Sequence, residues 1–301
     1  MEADGRGGAA SVDRRDRGEV LLRRVLAGSG TDPSAALDRA RSAAAGPDLA
    51  PAPDVPLRHV ALLPARPGSP APWPSWVPEP VREAYVRRGV VAPWTHQAEA
   101  ASLAFSGQDV VVATGTASGK SLVYQLAVLS RFVADHRATA LYLSPTKALA
   151  ADQLRALHEL DLPDVRPAAL DGDTPMDERD WVRNHARWIF SNPDMLHRSV
   201  LPRHGRWARF FRRLQVVVID ECHTYRGVFG SHVALLLRRL LRVAARYGSN
   251  PTVVLASATV AEPAAFASRL TGRSVHAVTV DGSPHAGRTI ALWEPPHGVR
   301  V

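Results

Sequence analysis

The sequence predicts a doubly wound α/β domain, a mainly parallel sheet with helices on both faces. Three observations carry this. Five short apolar, β-branched runs recur between residues 109 and 257. Helically patterned segments separate them. The glycine-rich and acidic motifs fall at or near the C-terminal ends of the runs, where open α/β sheets bind ligands.

In chain order, residues 1–56 come first. They are rich in Ala, Gly, Arg, Asp and Pro and nearly free of aromatics, which predicts a disordered arm. One patch in it, Val20–Leu26, has helical character. Eleven of the 24 prolines lie from Pro47 to Pro80, so residues 57–90 are expected to form an extended strap and a lead-in helix. Trp73 and Trp76 are expected to anchor the strap. The five strand runs are Asp109–Thr114, Ala140–Ser144, Trp188–Ser191, Gln215–Asp220 and Thr252–Ser257. Each is almost continuously apolar, as strands buried on both faces of a parallel sheet must be. Ser231–Tyr247 reads as an amphipathic helix. Val233, Leu236, Leu237, Leu240 and Leu241 form one face, and Arg238, Arg239, Arg242 and Arg246 lie largely on the other.

Composition excludes several classes. The chain has 301 residues, with 37 basic and 29 acidic side chains, a formal charge of +8. Two of the basic residues are lysines, Lys120 and Lys147, and both lie in motifs. A basic balance suits a polyanionic partner such as nucleic acid. Cys222 is the single cysteine, so no intramolecular disulfide and no cysteine-built zinc site can form. No apolar run approaches the roughly 20 residues of a membrane span. The N-terminus lacks the apolar core of a secretory signal. The expected setting is cytoplasmic, bacterial and nucleoid-associated, with no membrane partner.

After the first run comes Thr114-Gly115-Thr116-Ala117-Ser118-Gly119-Lys120-Ser121. Its ending fits a Walker A loop, although Thr114 stands where the usual pattern has its first Gly. Gly115 and Gly119 permit backbone angles that let successive N–H groups converge on phosphates. The helix beginning near Lys120 adds its N-terminal dipole. Lys120 is expected to reach the β- and γ-phosphates, and Ser121 to ligate Mg²⁺. The plain alternative is a strand–helix turn without a ligand.

The fourth run ends in Asp220-Glu221-Cys222-His223. Four apolar residues followed by two carboxylates match a Walker B strand. Asp220 is expected to hold Mg²⁺ through water, and Glu221 to orient and deprotonate the attacking water. A solvated strand end is the alternative. His223 is a candidate coupling residue, and Cys222 a small packing residue.

Together these residues resemble the first RecA-like domain of superfamily 2 helicases of the DEAD/DEAH type, which are P-loop NTPases. Thr95-His96-Gln97 resembles the adenine-reading Q motif, which makes His96 and Gln97 nucleotide-binding candidates. Ser144–Ala150, with Pro145, Thr146 and Lys147, resembles a motif touching the nucleic-acid backbone. Asp171–Thr174, with Asp173 and Thr174, and Ser191–Leu196, with Asn192 and Asp194, resemble the next two such motifs. Ser257-Ala258-Thr259 resembles the motif that links hydrolysis to strand movement, which makes Ser257 and Thr259 coupling candidates.

The likeness narrows. Thr116–Leu122, Asn192–His197 and His223–His232 are similar to a bacterial DNA helicase group that includes the mitomycin repair factor A type and RecQ-related yeast members. Asp281–Pro284 and Trp293–Pro296 extend the similarity, which covers about residues 57 to 301. It implies a RecA-like ATP-binding domain over 91–280 and, over 281–301, the start of a connection to a missing second RecA-like domain. It further implies ATP and Mg²⁺ as cofactors, single-stranded or partly duplex DNA as partner, 3′-to-5′ unwinding and DNA repair. The second RecA-like domain is expected in cis or in trans.

Some residues have structural alternatives. Thr146 suits a helix cap, Lys147 a solvated surface, and Asn192 and Asp194 a turn around Pro193. The run Arg203–Arg213 fits a stacking and phosphate surface. It fits better an amphipathic helix with Trp207, Phe210 and Phe211 in the core. Two other functions stay open: an RNA-directed ATPase of the same superfamily, and a truncated nucleotide- or DNA-binding module without turnover.

Overall fold

The computed structural model describes residues 57–293, together with Ser34 and Asp38. The expected arm, the Val20–Leu26 patch and residues 294–301 otherwise lie outside the described residues. The chain divides into two compact units, one of them Gly68–Ser283. The other contains the described residues up to Pro67 and those from Pro284 onward. In it, β1 (Leu57–Leu63) pairs antiparallel with β9 (Arg288–Trp293), a pairing across more than two hundred residues that the sequence patterning did not predict.

The larger unit holds a seven-stranded sheet. Its strands are β2 (Val110–Ala113), β3 (Thr139–Leu143), β4 (Pro167–Ala169), β5 (Trp188–Ser191), β6 (Leu214–Ile219), β7 (Thr252–Ser257) and β8 (His276–Val278). Their order across the sheet is β4-β5-β3-β6-β7-β2-β8, and every pairing is parallel. All five predicted strands are present. The two edge strands, β4 and β8, escaped prediction because each has three residues and neither is fully buried.

The strands are apolar throughout because both faces are covered. Val110, Val112, Tyr142, Val216 and Val218 join one buried cluster. Their neighbours Val111, Leu141, Leu143, Val217 and Ile219 join the cluster on the opposite face. This is the alternation that a pleated strand imposes. On the first side pack α1 (Glu79–Arg87), α2 (Thr95–Phe105), α3 (Ser121–Ala134) and α4 (Lys147–His158). The second side carries α5 (Met176–His185), α6 (Ala208–Arg212), α7 (Gly227–Arg246) and α8 (Pro263–Thr271).

The predicted tryptophan anchors hold. The Trp76 ring stacks on Phe105 with centroids 4.3 Å apart, and its indole N–H donates to Ser102. The Trp73 indole donates to the Val91 carbonyl at 2.9 Å. Trp207, Phe210 and Phe211 are buried, so the arginine-rich run supplies core rather than a stacking surface. Helix α7 begins at Gly227 rather than Ser231. Gly230 explains the difference. It presses so closely on the Tyr225 carbonyl that a Cβ would collide, so the added turn requires glycine there.

Arg187 on the edge of β5 is buried without a carboxylate partner in its hydrogen bonds. Its guanidinium donates to the carbonyls of Ala138, Asp164, Phe132 and Asp135 and lies 4.2 Å from the Phe132 ring centroid. Four carbonyls and a ring face thus replace water around a buried cation.

Candidate functional site

Strand order sorts the motifs along one edge of the sheet. At the C-terminal ends of β4, β5 and β3 lie Asp171–Thr174, Asn192–Asp194 and Pro145–Lys147. At the ends of β6, β7 and β2 lie Asp220–Glu221, Ser257–Thr259 and Thr114–Ser121. The border between the two sets runs between β3 and β6, where the Asp220 N–H donates to the Leu143 carbonyl at 2.9 Å.

The Thr114–Ser121 loop joins β2 to α3. Ala117 and Gly119 are left-handed, with φ of 62° and 76°, so the chain curls and turns its N–H groups to one side. Thr114, in the place of glycine, has a structural use. Its hydroxyl is 2.7 Å from that of Ser118, and both side chains are buried, so the two clasp the loop across its base. Lys120 donates to the carbonyls of Thr114 and Gly115 at 3.2 and 2.8 Å.

His96 and Gln97, in the first turn of α2, grip this loop from below. The Gln97 amide donates to the carbonyls of Ser118 and Gly119 at 3.1 and 3.0 Å, and its oxygen accepts from the Trp94 N–H at 2.8 Å. The His96 Nδ1 accepts from the Gly282 N–H at 3.1 Å. Its Nε2 lies 3.1 Å from the Ser118 carbonyl. A carbonyl only accepts, so the proton sits on Nε2. Beside Gln97 opens a cleft of about 590 Å³, lined by Tyr85, Trp94, Gln97, Gly119, Ser121 and Gln125 among others.

Asp220 directly follows β6 and is buried. Its Oδ2 accepts from the Tyr142 hydroxyl at 2.6 Å and lies 3.3 Å from the Tyr124 hydroxyl, and its Oδ1 accepts from the Glu221 N–H. Burial, reinforced by the neighbouring carboxylate, holds both phenols well above the ordinary tyrosine range, so they stay neutral donors. Glu221 is left-handed at φ 47°, a strain of about 1–3 kcal/mol for a non-glycine residue. The Thr224 N–H and hydroxyl both bond its carbonyl and hold it there.

His223 Nδ1 is 3.2 Å from Glu221 Oε2 and 3.2 Å from the Ala258 N–H. One nitrogen cannot donate to the carboxylate and accept from the amide at once. The acidic turn and the Ser257–Thr259 segment are therefore linked through an exclusive choice. Ser257 is buried and donates to the Ala258 carbonyl, while Thr259 is exposed. Cys222 is fully buried, and desolvation pushes its thiol up to about 12, consistent with a packing residue.

On the other half of the edge, exposed Lys147 pairs with Asp173 at 2.5 Å, joining two motifs distant in sequence. Donation to the Asp173 carboxylate raises the Lys147 ammonium above its ordinary value. Thr146 caps α4 by accepting from the Leu149 N–H, and Asn192 accepts from the Met195 N–H, so both structural alternatives are realised in the backbone. Thr146 and Asp194 are nevertheless exposed, Pro145 and Thr174 are half-buried, and the Thr174 hydroxyl accepts from the Asp171 N–H. Sequence reasoning missed Arg179, which clamps the Asp171–Thr174 turn by donating to the carbonyls of Thr174, Asp171 and Gly172. It also missed Tyr124, Tyr142 and Gln153 around Asp220, because no local spacing signals side chains that meet from separate elements.

Residues 94–266 match the family model described as DEAD/DEAH box helicase. The chain is 42% identical over 228 residues to an uncharacterized ATP-dependent helicase, YprA, of Bacillus subtilis (strain 168), covering 75% of this chain and 30% of that protein. It is 42% identical over 211 residues to the ATP-dependent helicase HRQ1 of Saccharomyces cerevisiae, covering 67% of this chain and 20% of that one. Among solved structures, the DUF1998 helicase MrfA bound to DNA and AMPPNP superposes with a TM-score of 0.79 at 38% identity, over 83% of this chain and 36% of that chain. The chain thus spans about a third or less of the length of these relatives. The superposition agrees with the RecA-like fold that the sequence resemblance implied.

Proposed function

The chain belongs to the DEAD/DEAH box helicase family, and from that premise we propose that it is the ATP-binding half of an ATP-dependent DNA helicase. The observation that carries this reading is the division of one sheet edge. A phosphate-type loop and an acidic strand end occupy β2 and β6, and the backbone-contact motifs occupy β3, β4 and β5. The relatives named as helicases, and the DNA-bound MrfA structure, support DNA as the polymer; 3′-to-5′ movement and a role in repair rest on the sequence resemblance alone. Hydrolysis completes between this unit and a second RecA-like domain, supplied in cis or in trans.

The residues fit Mg²⁺. The Ser121 hydroxyl and Asp220 carboxylate are hard oxygen donors that follow β2 and β6 on the same edge of the sheet. Mg²⁺ at nucleotide sites takes one or two protein groups, the rest being phosphate and water. Held by Ser121 and Asp220, Mg²⁺ would supply charge neutralisation at the phosphates.

The chain's own groups do the rest. The Thr114–Ser121 amides and Lys120 hold the phosphates, with Thr116 and Ala117 at the turn of the loop. His96 and Gln97 set the loop's shape, and Gln97 borders the cleft, which we assign to the adenine base. Glu221 accepts a proton from the water that attacks the γ-phosphate in line. His223, Ser257 and Thr259 transmit the change. Pro145, Thr146, Lys147, Asp173, Thr174, Asn192 and Asp194 face the nucleic-acid backbone and position it without reading sequence. Among the described residues, no helix is long and apolar enough to cross a membrane.

The test compares labelled single-stranded DNA and RNA of one sequence, titrated with the chain. DNA should bind more tightly, and Lys147→Ala should weaken it and flatten its salt dependence by about one counterion. RNA bound as tightly as DNA would transfer the assignment to an RNA-directed ATPase.

A further inference from the structure

We propose that Gln153 is a positioning residue that conveys nucleic-acid binding at α4 to the metal-binding carboxylate of Asp220, with the Tyr124 hydroxyl as the movable link. The proposal rests on the functional reading above.

The Tyr124 hydroxyl has one proton and two acceptors. Gln153 Oε1 is 2.9 Å away and Asp220 Oδ2 is 3.3 Å away. It can serve only one of them well. Gln153 belongs to α4, the helix that opens at Lys147 beside capping Thr146. Asp220 directly follows β6. Tyr142, the second donor to Asp220, stands on β3 two residues before the Ser144–Lys147 segment. The cluster therefore straddles the β3–β6 border, where the nucleic-acid half of the edge meets the nucleotide half.

The network also reaches the cleft. Gln153 Oε1 lies 3.4 Å from the Gln125 amide, and Gln125 Oε1 accepts from the Tyr85 hydroxyl at 2.7 Å. Tyr85 and Gln125 both line the cleft assigned to the base. Tyr85, Tyr124, Gln125 and Tyr142 are buried, so water does not compete for these bonds. The two Tyr124 distances differ by less than the shifts of about 1–2 Å that packed helices make when switching. If α4 moves away from Tyr124, the hydroxyl turns from Gln153 to Asp220, and the carboxylate gains a second donor. If α4 approaches, Asp220 keeps Tyr142 alone.

The experiment measures a coupling factor. The affinity of the chain for a fluorescent ATP analogue with Mg²⁺ is titrated without and with saturating short oligothymidylate. The wild-type ratio should differ from unity by at least about fivefold. Gln153→Leu should bring it within about twofold of unity, while the affinity for nucleotide alone stays close to wild type. Gln153→Glu, which keeps an acceptor at Oε1, should retain coupling, as should Asp152→Ala on the exposed side of the same helix. Thermal melting checks that each variant is folded. A wild-type ratio of one, or full coupling in folded Gln153→Leu, overturns the proposal. A wild-type chain that binds neither ligand instead overturns the functional reading, and the proposal with it.

Discussion

The side-chain amide of Gln97 lies directly against Gly119, so closely that a Cβ on Gly119 would collide with it. The residue that borders the base cleft and the residue that shapes the phosphate loop are therefore a fitted pair. Gly119 is needed twice, for its left-handed φ of 76° and for that contact.

Gly119→Ala should thus lose nucleotide affinity by tenfold or more. Gly107→Ala is the comparison. It has a φ of 90° but nothing within 4 Å of its Cβ position, so it should cost stability while leaving binding intact. Equilibrium titration with a fluorescent ATP analogue distinguishes them. Equal affinities would show that the Gln97 contact is incidental.

Tyr142→Phe removes the shorter of the two hydroxyl bonds to buried Asp220. Unfolding in denaturant should show a loss of about 1–3 kcal/mol, the cost of a buried acceptor left short of a donor. A variant as stable as wild type would mean that Tyr124 replaces the bond at no cost.

Alkaline pH should destabilise the fold through the same groups. Tyr85, Tyr124, Tyr142 and Tyr225 are all raised above the ordinary tyrosine value, chiefly by burial. The neutral phenol is the form the fold prefers. Its contribution is intact below a pH of about 10, where unfolded tyrosine titrates, and is lost as pH rises beyond it. Stability measured across that range should fall above pH about 10, and less steeply in Tyr142→Phe, which has one phenol fewer to ionise. A flat profile would contradict the burial of these hydroxyls.

Glu221→Gln removes the proton acceptor and leaves the phosphate cradle. With the second RecA-like domain and single-stranded DNA present, ATP turnover should fall by about 10²-fold or more, with affinity for ATP little changed. Unaltered turnover would remove Glu221 from its role.

Much of this was legible in the sequence. The loop Thr114–Ser121 and the strand end Asp220–Glu221 are contiguous, so their chemistry is written in consecutive residues. The five central strands are apolar on both faces and announce themselves. The core role of Trp207, Phe210 and Phe211 followed from helical spacing, and the structure buries all three. Other features depend on tertiary assembly. Strands β4 and β8 are too short and too exposed to pattern, and β1 finds its partner β9 only through the folded chain. The Tyr85–Gln125–Gln153–Tyr124–Asp220–Tyr142 network draws on α1, α3, α4, β3 and the end of β6. Apart from Asp220, each member alone reads as an ordinary core or surface residue. The grip of His96 and Gln97 on the loop carbonyls was likewise hidden, since spacing marks them as site residues but not which way they bond.

The most direct test is titration of the chain with a fluorescent ATP analogue and Mg²⁺, in wild type and in Lys120→Ala. Saturable binding at one site, weakened at least about tenfold by the substitution, is the result expected if a charged contact to phosphate is lost. No binding by the wild type, or equal binding by the two, would contradict the assignment of Thr114–Ser121 as the nucleotide site.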